Sequence, residues 1–541
     1  MLTAASVAHT GLAAHGNHGT RDKPGGRAAL GGLAAHRRAA AFAAGLLALG
    51  ALCACATPTP PPAPAPALAP VPAPSPVELA VQELGSALAM RAEPELWFEV
   101  RHTAELAAET LRAAQTAGAT DPELQPALAA AETLAAWQAL RGIGAFHISE
   151  ESREEWNDSL LAIRQALLGR LRALDAPSPQ AHAVALLILL DSGLDEEAAA
   201  EFALALQRFP ADARLHALLR GAHERLPDPE ALARLLAGRR ADTPAAAPLL
   251  LASEGYLLLA AGRSADRADA LDDAAALAGR AADAFAAARQ AGETASAEAL
   301  PISRWELDNR LADAAYEAGQ RHRQIAGRAL AESGLPAARP HLEAAEAAFA
   351  RALEVLPEDQ NIRDALASTA DTYYQAGDLV GIREAFGRLA RRFDLPEWWN
   401  NHAFFCRETG LYEEAYASYS RCIELAPDNA RWVNDTALIL LYHLDRDLDH
   451  AEALFRRAIA LATEVAANPF LDETAIAQNE EALGDAMLNL ALLAARRGEL
   501  DQAAELLAEL LARAPHRADA RALSQQVEAA RGAAGHVPLP R

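Results

Sequence analysis

The chain has 541 residues, 51% hydrophobic but only 5% aromatic, with 73 Asp and Glu against 49 Lys and Arg for a formal charge of −24. Apolar content that is largely alanine suits closely packed helices and argues against a β-rich domain, and a chain this long argues against one globular core. The acidic balance disfavours nucleic acid and anionic lipid surfaces, while leaving neutral or basic protein partners open.

Residues 1–35 are rich in Gly, Ala and His without amphipathic period and read as a disordered leader or an upstream start. Residues 36–55 carry Arg37 and Arg38 and then an apolar run from Ala39 to Leu52, the order of a secretory signal. The run is too short to cross a bilayer, which takes about 20 apolar residues. It ends Leu52-Cys53-Ala54-Cys55, which resembles a bacterial lipobox. Cys55 fits that pattern; Cys53 does not, because Leu52 directly precedes it. The resemblance implies a lipid thioether on Cys55, and Ala56 rather than Asp after it implies sorting to the outer membrane, facing the periplasm. The same residues also allow ordinary cleavage after Ala56, giving a soluble periplasmic protein, or a cytosolic protein with an unused leader. Ala56 to Pro76 is a Pro/Ala tract of 21 residues. At ~3.1 Å per residue in polyproline II it is a semi-rigid spacer of ~65 Å.

From Val77 to about Pro177 the chain is expected to be an N-terminal helical array that caps the helices beyond it. Asp121-Pro122-Glu123 and Ser149-Glu150-Glu151 open helices in it, and Trp97, Trp137 and Trp156 are read as packing residues. Asp228-Pro229-Glu230 is a later start signal of the same kind.

A spaced pattern then recurs. It is clearest in Pro396–Pro427, where, counting Pro396 as position 1, Trp399 is at 4, Ala403 at 8, Gly410 at 15, Tyr412 at 17, Ala415 at 20, Tyr419 at 24 and Pro427 at 32. Small residues at 8 and 20 let two antiparallel helices approach, Gly410 ends the first, large side chains at 4 and 24 fill the wedge, and Pro427 stops the second. Gly498, Leu500, Ala503 and Pro515 fit positions 15, 17, 20 and 32 of a unit starting at Gly484. Between the two units, Ala451, Phe455 and Ala458 keep the spacing after an over-long turn, Leu444 to His450. Upstream, Ala370, Tyr373, Gly377 and Phe386, then Ala345, Phe349, Ala352 and Pro357, fit as well. Residues 178–338 hold degenerate units: Gly193, Ala198, Phe202, Ala205 and Pro210, and then Gly255 and Gly262 with Ala281, Phe285 and Ala288 after an insertion. The pattern resembles the tetratricopeptide repeat, a helix–turn–helix of about 34 residues. The fold expected is all-α: an α-solenoid of antiparallel helix hairpins, with repeats over 339–517 and a capping helix and tail over 518–541.

No catalytic signature is present: no Gly-x-Ser-x-Gly, no phosphate loop, no His-Glu-x-x-His and no Cys-x-x-Cys. Cys406 and Cys422 are read as small apolar core residues that do not pair, His216 and His223 as scattered histidines, and no metal or cofactor is expected. The resemblance implies a concave groove lined by the first helix of each unit. In the best unit the lining is Glu397, Asn400, Asn401, Phe404, Arg407 and Glu408; in the next, Arg431, Asn434, Asp435 and Leu438; in the Gly484 unit, Asp485 and Asn489. Amides there resemble those with which such domains hold a peptide backbone, since each offers donor and acceptor; equally, they could bond the neighbouring helix. The function expected is a non-catalytic protein-binding scaffold of the bacterial envelope, with an envelope enzyme or a structural spacer as alternatives.

Overall fold

The computed structural model describes residues 74–90, 97–144, 150–294, 300–466 and 473–532. The leader, Cys55, the Pro/Ala tract to residue 73, Ser149 and the tail from 533 lie outside them. The described residues hold helices and no strand. In order these are α1 (Pro76–Met90), α2 (Trp97–Thr116), α3 (Leu124–Gly144), α4 (Glu150–Arg172), α5 (Pro179–Asp191), α6 (Asp195–Arg208), α7 (Ala213–Ala222), α8 (Pro229–Arg239), α9 (Ala247–Arg267), α10 (Leu271–Gly292) and α11 (Arg304–Ser333). They continue with α12 (Leu335–Val355), α13 (Gln360–Gln375), α14 (Leu379–Phe393), α15 (Pro396–Glu408), α16 (Tyr412–Leu425), α17 (Ala430–Ile439), α18 (Leu448–Ala466), α19 (Glu473–Arg496), α20 (Leu500–Arg513) and α21 (Ala518–Gly532).

Local chemistry sets the boundaries. Ser75 and Glu78 form a reciprocal capping box at the start of α1. Asp228, Asp359, Asp378 and Asn429 each accept a backbone N–H of the helix they precede. At position 15 of the units, Gly193, Gly377, Gly410 and Gly498 have φ of 69°, 74°, 78° and 81°, a conformation that a β-carbon would strain. The long turn before α18 is a π-turn, Leu440–Leu444, followed by left-handed Asp445 and Asp447.

Neighbouring helices pair as hairpins: α5/α6, α9/α10, α11/α12, α13/α14, α15/α16, α17/α18 and α19/α20. Each second helix also packs on the next first helix, as α10 does on α11 and α14 on α15, which is the nearest-neighbour arrangement of a solenoid. Buried aromatics at position 24 close the hairpins: Phe202, Phe285, Phe349, Phe386, Tyr419 and Phe455 are each at most 2% exposed. Pro244–Arg267 is long and apolar enough to cross a membrane, but it is mostly buried inside the array.

Two details differ from the sequence reading, and a third lay outside it. Gly262 does not end a helix; α9 runs on to Arg267, and Gly262 instead lies close against α10, near Ala274 and Leu277. Trp399 is not the main wedge; Trp398, 5% exposed, stacks with Phe386, while the Trp399 indole N–H donates to Asp394. The partner of Phe349 is Gly319, on a helix of 30 residues. A β-carbon on Gly319 would lie 2.6 Å from the Phe349 ring, and one on Gly255 would lie 2.8 Å from Phe285. Both pairs are 30 residues apart, so two successive enlarged hairpins share one design.

Candidate functional site

The apolar core is continuous from Val77 to Phe405 and again from Ala430 to Val527, with a small cluster of Ala403, Cys406, Ala415, Tyr419 and Ile439 between. At this junction, buried polar side chains enter the packing: His402, Ser418, Asn434, Thr436 and Asn489. Here lie the helices expected to line the groove: α15, α17 and α19.

The two central amides face each other. Asn489 Nδ2 donates to Asn434 Oδ1 at 3.1 Å, and Tyr442 Oη donates to Asn489 Oδ1 at 3.0 Å. Asn434 is 3% exposed and Asn489 6%. Their hydrogen bonds therefore tie α19 to α17, and a ligand would reach them only by breaking those bonds. Leu438 packs on the small apolar cluster. Asp485 pairs with Arg517 at 2.8 Å.

The rest of the set is more open. Asn400 and Asn401 are half-buried, with Asn400 Nδ2 3.4 Å from Asn401 Oδ1. Glu397 is exposed. The Arg407 guanidinium lies 4.7 Å from the Phe404 ring centroid and donates to Glu408. Arg431 and Asp435, one turn apart on α17, form no ion pair with each other or with any other described residue. Elsewhere in these repeats Arg421 pairs with Asp394, Arg446 with Glu413 and Arg517 with Asp485, and Asn434 Nδ2 lies 3.4 Å from Asp435 Oδ1. Burial pushes the Asp435 carboxyl up to about 6 against the pull of Arg431 and Arg407.

The sign of that shift gives a prediction. The folded-state value exceeds the ordinary 3.8, so ionisation costs stability as pH rises from about 4 to about 6, with the full cost above that. Asp435→Asn is expected to stabilise the chain by about 1–3 kcal/mol at pH 7.5 and by almost nothing at pH 4. Paired urea titrations at the two pH values measure it; a gain equal at both would show that Asp435 carries no such strain.

One group escaped the sequence reading. His402 and Cys406, i and i+4 on α15, meet Glu414 of α16: Sγ is 3.4 Å from Nε2 and 3.9 Å from Glu414 Oε2. Burial drives the imidazole down to about 4 and the thiol up to about 12. The pair is thus a neutral thiol and imidazole, unlike the thiolate–imidazolium of a cysteine nucleophile. The i, i+4 spacing of His402 and Cys406 was the available signal. His216, by contrast, is satisfied in the core by Ser253 and the Pro210 carbonyl.

Hairpins stacked in this way define an α-helical repeat protein, a class whose fold generally serves protein interaction. A family model described as Tetratricopeptide repeat matches residues 397–429, the α15/α16 hairpin and the turn after it. Among solved structures the chain is similar to YrrB, a TPR protein with an unusual peptide-binding site, at 16% identity over 38% of this chain and 91% of that one, TM-score 0.26. It is also similar to TTC0263, a TPR protein of Thermus thermophilus, at 21% identity over 39% and 99%, TM-score 0.24. No curated protein matches in sequence.

Proposed function

We propose that the chain is a non-catalytic adaptor of the bacterial cell envelope that holds a peptide or helix of another envelope protein along α15 and α17. The observation that carries this reading is Arg431, which has no ion pair within 4 Å among the described residues and lies one turn from Asp435 and on the helix next to the half-buried Asn400 and Asn401. The Arg431 guanidinium and the Asn400–Asn401 amides offer charge and hydrogen bonds to an extended segment. The acidic balance of the chain favours a neutral or basic partner. Cys55 and the Pro/Ala tract support a lipid-anchored domain held away from the outer membrane, with no other membrane contact and no nucleic acid.

The test is affinity capture from detergent-solubilised membranes with wild type and with Asn401→Ala/Arg431→Ala. The double variant is expected to lose its specific partner at least about tenfold, since interface groups of this kind cost about 1–3 kcal/mol each when removed. An unchanged set of captured proteins favours a structural spacer. The mass of the mature N-terminus reads the anchor in the same preparation: a lipidated Cys55 is expected, and an unmodified Thr57 start would remove the anchor while leaving the groove reading intact.

A further inference from the structure

We infer that His402, Cys406 and Glu414 form a binding site for a zinc-type divalent ion. All three ligand atoms lie within 4.8 Å of one another. Tetrahedral zinc with bonds of ~2.3 Å to sulfur and ~2.0–2.2 Å to nitrogen and oxygen places its ligand atoms roughly 3.4–3.6 Å apart. The Nε2–Sγ separation of 3.4 Å already meets that value; the Sγ–Oε2 separation of 3.9 Å and the histidine–carboxylate separation, within 4.8 Å, close by rotation of Glu414, whose side chain is exposed.

One further feature fits. Ser418 Oγ sits 2.9 Å from His402 Nδ1, the outer partner that orients a metal-bound imidazole and leaves Nε2 free to ligate. Arg383 and Arg391 of α14 lie close enough to be felt at His402. A thiolate and a carboxylate together offset a dication against those arginines, which two neutral ligands would not. The mixed nitrogen, sulfur and oxygen set selects a borderline ion over calcium or magnesium, which take oxygen. On binding, the Cys406 thiol gives its proton to solvent and its sulfur bonds the metal; the ion would staple α15 to α16.

The test uses the full chain, stripped with a chelator and titrated with zinc alone and with cobalt(II) as a spectroscopic probe. Expected are one ion per chain, a thiolate-to-cobalt charge-transfer band, and a melting temperature raised by zinc and lowered again by chelator. Cys406→Ala should abolish the band and weaken zinc by at least about 100-fold, and Ser418→Ala should weaken it by about 10–100-fold. Cys422→Ala should change neither. Glu414→Gln, on an exposed position that folding tolerates, should weaken zinc even if Cys406→Ala folds poorly. No charge-transfer band in wild type, or zinc affinity unchanged in Glu414→Gln, would overturn the site.

Discussion

Phe349→Ala is expected to destabilise the protein by about 3–5 kcal/mol, the range for removing a buried aromatic, and Gly319→Ala by about 1–3 kcal/mol through overpacking. Phe349 has no exposed surface, and the space its ring fills is bounded by the missing side chain of Gly319. The two residues therefore share one volume. In the double variant the new methyl enters the space the ring vacates, so its cost should fall short of the sum of the singles by about 1–2 kcal/mol. Urea unfolding of the four proteins measures this coupling. Gly255 and Phe285 should behave alike, since the geometry of the preceding hairpin repeats it. Additive losses would mean that the small and large positions do not set the distance between helices.

Asn489→Ala is expected to cost about 1–3 kcal/mol, because it leaves Asn434 buried with its carbonyl oxygen unpaired and removes the acceptor of Tyr442. Asn434→Ala strands the Asn489 amide in the same way. The double variant should be less destabilising than the sum, since neither partner then remains unsatisfied. Thermal or urea unfolding separates the two roles that the sequence allows these amides. Groups reserved for a ligand would leave the free protein within about 0.5 kcal/mol of wild type; groups that join α17 to α19 would not. The geometry favours the second role for Asn434 and Asn489.

Much of the fold was legible because its determinants are local. A glycine needed at positive φ, as at Gly410, and an alanine opposite an aromatic, as Ala403 opposite Tyr419, each leave a mark in the linear chain. Gly319 was missed because α11 carries its pairing residue 30 positions before Phe349, beyond the usual interval. Gly262 misled for a related reason: glycine serves close helix approach as well as helix ends, and only the position of α10 decides which. The choice between Trp398 and Trp399 depends on a rotation of α15 that stacking on Phe386 fixes. Site residues were harder still. Repeat phase put Asn434 and Asn489 on the inner helices, but which partner an amide finds depends on a neighbour 55 residues away. The meeting of Glu414 with His402 and Cys406 depends in the same way on how α16 folds back over α15.

The most direct test of the account is hydrogen exchange on the intact chain, comparing wild type with Phe349→Ala. Hairpins that lean only on their neighbours should lose protection in α9 to α14 and keep it in α1 to α6 and in α17 to α21. Loss spread evenly over every helix would contradict it, for that is the response of one cooperative core rather than of a row of stacked units.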